Sequence, residues 1–105
     1  MKAHYFLEEQ KQIELLKILA EKFQKFYNVN ELTKNEKIFI FNQLIKWTHF
    51  SDLNRVCELV GLMFSFVDKK YCEFLRLSLK TEQLTLDVRM EMEESVEEFE
   101  KIYIK

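Results

Sequence analysis

The residues best suited to nucleophilic or metal chemistry are two cysteines, Cys57 and Cys72, and two histidines, His4 and His49. A structural zinc site draws on four Cys or His ligands at short, regular spacings, and a catalytic one on three protein ligands. No CxxC, HxxxH or ExxH spacing accompanies these four residues. A reactive thiol needs its pKa lowered by a neighbouring base or a helix N-terminus. Cys57 stands in an apolar stretch and reads as an inert core thiol. Cys72 follows Lys69 and Lys70 near an expected helix start, which makes it the better nucleophile candidate. Even there, a packing cysteine is the simpler reading. Phosphate-cradling loops and nucleophile elbows are built on glycine, and the chain has one glycine, Gly61. The residues therefore point away from an enzyme and call for no cofactor, no metal and no small-molecule substrate.

Charge narrows the partners. The net charge is −2, but its distribution is uneven. Residues 1–81 carry 13 Lys or Arg against 10 Asp or Glu, whereas residues 82–101 carry eight acids against Arg89 and Lys101. A nucleic-acid binder shows a basic stripe that neutralises phosphates. Here Lys17, Lys22, Lys25, Lys34, Lys37 and Lys46 are diluted by Glu14, Glu21 and Glu36. Two helices joined near Thr48 and Ser51 do have helix-turn-helix spacing, so a nucleic-acid-binding regulator of that kind is the alternative reading. Its second helix would offer base edges only Asn54, Arg55 and Glu58.

These residues must be positioned by helices. There is no proline and one glycine, while 48% of residues are apolar and ten are Phe. Compact β folds draw on Gly and Pro for their turns, so the composition predicts an all-α chain. At 105 residues it fits one domain able to bury about two-thirds of its unfolded surface. The organising stretch is residues 53–67, LNRVCELVGLMFSFV, whose apolar residues cover most of a helical circumference. Such a helix is surrounded by others or sits in a membrane. A span needs about 20 apolar residues, and this run is shorter and holds Arg55 and Glu58. It is expected at the centre of a compact bundle of about five helices.

Around it, a first helix over about residues 3–27 has a stripe of Ile13, Leu16, Leu19, Ala20, Phe23, Phe26 and Tyr27. Glu8, Glu9 and Gln12 interrupt that face, so its first turns are expected to project past the core, with Tyr5, Phe6 and Leu7 as a separate patch. Residues 28–30 read as a loop. Thr33 and Glu36 have capping-box spacing and start a second helix to about Thr48, with Phe39 on its polar side. Ser51 or Asp52 is expected to cap the central helix, Asp68 a fourth, and Thr81 a fifth. Residues 84–92 alternate like a strand, yet Leu84, Val88, Met92, Val96, Phe99 and Tyr103 continue as a helical stripe through a Glu-rich run that disfavours strands. Helix is the reading adopted.

What remains is contact with another macromolecule. Phe39, Leu86 and Met90 lie off their helices' apolar stripes, as do Ile18 and Ile104, and together they suggest apolar surface seeking cover. In the last helix, Asp87 with Glu91, Glu93 with Glu97 and Glu94 with Glu98 are like-charge pairs at i, i+4, each costing about 0.2–0.5 kcal/mol. A basic partner would relieve that repulsion. The candidate partner surface is thus Phe39, Leu86, Met90, Glu94, Glu97 and Glu98. Gly61 and Ser65 suggest a close helix approach, since a mid-helix glycine costs about 1 kcal/mol against alanine. The expected function is a non-enzymatic protein–protein interaction module, a small intracellular regulator, inhibitor or adaptor, that binds another protein or itself. Free cysteines and the lack of a leader-like N-terminus suggest the cytoplasm, with no membrane contact. The Lys- and Phe-rich, Gly-poor composition would suit a phage or mobile-element product.

Overall fold

Thr33 illustrates how local chemistry sets the helix limits. Its hydroxyl accepts from the Glu36 N–H at 3.1 Å, and the Glu36 carboxylate accepts from the Thr33 N–H at 2.9 Å. This reciprocal pair satisfies two amides that a helix start leaves open. The computed structural model describes residues 2–26 and 32–104, with side chains described for 8–22 and 32–104. Five α-helices make up the described chain: α1 Lys2–Phe26, α2 Lys34–Trp47, α3 Leu53–Phe66, α4 Lys69–Thr81 and α5 Leu86–Tyr103. Phe23, Phe26 and Tyr27 as core positions, the patch at Tyr5, Phe6 and Leu7, and the loop at 28–30 lie outside the described residues or side chains.

Asp52 caps α3 through the Arg55 N–H at 3.2 Å, and Asp68 caps α4 through the Tyr71 N–H at 3.0 Å. Thr81 does not cap the fifth helix: it is the last residue of α4, and the N-cap of α5 is Thr85. The alternation over 84–92 is therefore resolved as a short connection running into helix. Between α3 and α4, Val67 adopts a left-handed conformation with φ 50° and closes α3 on Met63 and Phe64 carbonyls. A β-branched residue there is strained by about 1 kcal/mol or more.

The α3 helix packs against all four of the others, which confirms its central place. Its buried side is Arg55, Val56, Leu59, Val60, Leu62, Met63 and Phe66. Onto it come Ile13 and Ala20 from α1, Ile40, Leu44 and Trp47 from α2, Tyr71, Cys72 and Leu75 from α4, and Val88, Met92, Val96 and Phe99 from α5. The Phe64 and Phe99 rings meet edge-on at 5.4 Å between centroids. Tyr71 is buried and pairs with Thr48 at 2.7 Å. Because the Thr48 hydroxyl donates to the Leu44 carbonyl, the phenol is the donor, and this joins α4 to the end of α2.

Four expectations need correction. Leu19 is exposed, together with Leu15 and Ile18. Glu9 and Gln12 do not break the α1 contact face, because they bond to α3 and to the end of α2. Arg55 is not an exposed residue of α3 but is 1% exposed. Gly61 lies on the exposed strip of α3 with Asn54 and Cys57, and among the described residues a methyl group there would meet no atom beyond its own stretch of helix within 4 Å. No approach of a described helix explains it.

Candidate interaction surfaces

Helix α5 turns Val88, Met92, Ser95, Val96 and Phe99 inward. The period of 3.6 residues then places Leu86, Met90, Glu93 and Glu97 on the opposite side, flanked by Glu94 and Glu98. Leu86 is 73% exposed and Met90 50%, and all four glutamates are exposed. Arg89 approaches Glu93 at 3.8 Å. Among the described residues, Glu94, Glu97 and Glu98 have no cation within 4.0 Å, including Lys101 one turn on. The outcome is a face with two apolar side chains at one end and concentrated negative charge along the rest. Five of the six residues singled out from sequence share it. The sixth, Phe39, is 61% exposed but belongs to α2.

A second surface was not legible as a unit. A groove of about 670 Å³ is lined by the start of α2, the α3–α4 junction and the end of α5. Leu32, Ile40 and Phe66 form its apolar floor, and Lys34, Lys37, Lys69 and Lys70 stand round it with one carboxylate, Asp68. Burial pushes the Asp68 carboxyl up, against the lowering effect of the Tyr71 and Lys70 amides. All four lysines fall in the opening turns of α2 and α4. The positive end of the helix dipole lies there, so each cation is placed unfavourably, by about 0.3–1 kcal/mol. That placement was the readable signal: lysine directly after a capping residue, twice.

The polar contact between α1 and the rest is a separate cluster. Glu9 accepts from the Arg55 guanidinium at 3.0 Å and pairs with His49 Nε2 at 2.8 Å, while Arg55 also donates to the Trp47 carbonyl. Glu58 receives Lys17 at 2.7 Å and Gln10 at 2.8 Å, and the Trp47 indole donates to Gln12. Burial alone would raise the carboxyl pKa of Glu9 and of Glu58, but the bonds from His49 and Arg55, and from Lys17 and Gln10, hold both below the usual value. Each acid is matched by protein donors, and the arrangement holds α1 in place.

Of the two cysteines, Cys72 is the packing residue that the simpler reading expects, while Cys57, expected in the core, is exposed. Cys72 is buried, and burial pushes its thiol up to about 11. Cys57 is the exposed one, and its thiol is also raised, by burial of the sulfur and then by Glu91 and Glu58. Neither environment favours a thiolate. Among the described residues no group of three or more His, Cys, Asp or Glu could hold a metal ion, and no helix is long and apolar enough to cross a membrane. Compared with protein-family models, with curated proteins and with solved structures, the chain gives no match.

Proposed function

We propose that this chain is a non-enzymatic protein–protein interaction module, a small intracellular regulator, inhibitor or adaptor that works by occupying another protein. The observation that carries this reading is the outer face of α5, where Leu86 and Met90 stand in solvent beside Glu94, Glu97 and Glu98. A helical face with apolar anchors one turn apart suits docking into a groove. The charge around them favours a basic surface and would speed encounter with it.

The experiment is capture of the tagged protein from lysate of its source organism, with mass spectrometry of what is retained. A Leu86→Ser/Met90→Ser variant and a Phe39→Glu variant, each checked for helicity, are run beside it. A protein retained by the wild type and lost with the α5 variant supports the reading and assigns the face. Equal retention by all three proteins contradicts the role of α5. The helix-turn-helix alternative gains no support from geometry, since Arg55, the one cation of α3, is buried.

A further inference from the structure

The basic groove and the acidic face are complementary, and one molecule cannot bring its own two together. The α5 helix is fixed by Val88, Met92, Val96 and Phe99 in the core, so its outer side points away from the bundle. Its far end supplies Tyr103 to the groove wall. We propose that the groove between α2, the α3–α4 junction and α5 receives the outer face of α5 from a second copy of this chain. Leu86 and Met90 enter over Leu32, Ile40 and Phe66, and Glu93, Glu94 and Glu97 meet Lys34, Lys37, Lys69 and Lys70. This rests on the reading of the α5 face as an interaction surface and names its partner.

Three observations bear on that occupant. First, among the described residues none of the four lysines forms an ion pair within 4.0 Å, and neither do Glu94 and Glu97. Two sets of opposite charge are thus left open on one chain. Second, the lysines sit at two helix N-termini, so side-chain charge and helix dipoles add to make the groove attract anions. An apolar floor beneath that charge selects an anionic partner with apolar side chains, which is what Leu86, Met90 and the glutamates present. Third, a volume of about 670 Å³ is commensurate with one to two turns of a helix ~10 Å across, enough for the stretch from Leu86 to Met90, with the glutamates beyond it meeting the lysines at the rim. The contact joins two different patches, so it is heterologous, and copies can add to one another head to tail.

The test is sedimentation velocity at low salt, about 50 mM, where screening is weak. It uses the full chain, a groove variant (Lys34→Glu/Lys37→Glu/Lys69→Glu/Lys70→Glu) and a face variant (Glu93→Lys/Glu94→Lys/Glu97→Lys). The groove variant places acids at helix starts, where they suit the dipole, and its helicity is checked by circular dichroism beside the wild type. The wild type should associate with rising concentration and dissociate with added salt. Each variant alone should associate at least about tenfold more weakly, and an equal mixture of the two should recover association, because the reversed groove then meets the reversed face. Leu86→Ser/Met90→Ser should weaken association without loss of helicity. A wild type that stays at 12.9 kDa at every concentration overturns the proposal. So does association that the charge reversals leave unchanged, or two monomeric variants that fail to combine. Retention of a different protein through Leu86 and Met90, with no self-association, would sink the second-copy proposal and leave the α5 reading standing.

Discussion

Glu9 and Arg55 stand 46 residues apart in the chain and meet at 3.0 Å where α1 crosses α3. The Arg55 side chain is fully buried and that of Glu9 is 17% exposed. Burying a guanidinium is costly unless its charge is matched, so this pair is one of the contacts that fix the position of α1. Removing that carboxylate should cost about 1–3 kcal/mol, because it takes one charged partner from a buried guanidinium. Replacing both, as Glu9→Leu/Arg55→Leu, should cost clearly less than the two single changes together. Urea unfolding of the four proteins in a double-mutant cycle checks this.

The same contacts set the acid limb of stability. Glu9 and Glu58 have folded-state pKa values below the ordinary 4.5. Groups of that kind bind protons more readily when unfolded, so their stabilisation is complete above pH 4.5 and is lost as pH falls through the lower folded values. Asp68, raised by burial, acts with opposite sign: its folded state takes up a proton first. Glu36 and Asp87, held below their ordinary values by their bonds with Thr33 and Thr85, act in the same direction as Glu9 and Glu58. Four lowered acids thus oppose one raised acid, and the urea midpoint should fall between pH 5 and about 3. In Glu9→Gln/Glu58→Gln the fall over that range should be smaller, with Glu36 and Asp87 supplying what remains.

Gly61 costs helix stability without any close approach of a described helix to justify it, since among the described residues a methyl group there meets open space. Gly61→Ala should therefore raise stability by about 0.5–1 kcal/mol. Thermal unfolding followed by circular dichroism reads this as an increase in Tm. An unchanged or lower Tm would contradict this reading of Gly61.

Thiol labelling separates the cysteines by access. Cys57 is exposed and Cys72 buried, and both thiols are raised above the usual value. At neutral pH iodoacetamide should modify Cys57 more slowly than a free thiol, and Cys72 only on unfolding. Mass spectrometry of the digested protein distinguishes the two sites.

The helices were legible wherever one local rule sufficed. Thr33 and Glu36 announce α2 by spacing alone, and the inward residues of α5 follow a single stripe from Val88 to Phe99. The limits of α3 fall within one residue of those expected from composition. Non-local pairing was not legible. Periodicity marked Glu9 and Gln12 as interruptions because a polar residue counts against an apolar face, whatever it meets. Their partners, Arg55 and Trp47, are supplied by other helices, and nothing in local spacing encodes that meeting. Arg55 was read as exposed for the same reason. Leu19 fitted the α1 stripe in register, but α1 packs chiefly on α3, so its buried face is narrower than its apolar one. The exposure of Phe39, Leu86 and Met90 was legible because residues off a stripe need only the stripe's direction. The groove was not, since it needs α2, the α3–α4 junction and α5 placed together.

The central claim is that the outer face of α5 is occupied when the protein works. Met90 reports on this directly, because it is half exposed at the middle of that face while Met63 and Met92 are 0% exposed. The measurement is oxidative footprinting of the dilute purified protein, of the concentrated protein and of the protein captured from lysate of its source organism, read by mass spectrometry. Met90 should oxidise readily when dilute and be protected in the concentrated or captured samples, with Met63 and Met92 protected throughout. Equal oxidation of Met90 in all three samples would contradict the account.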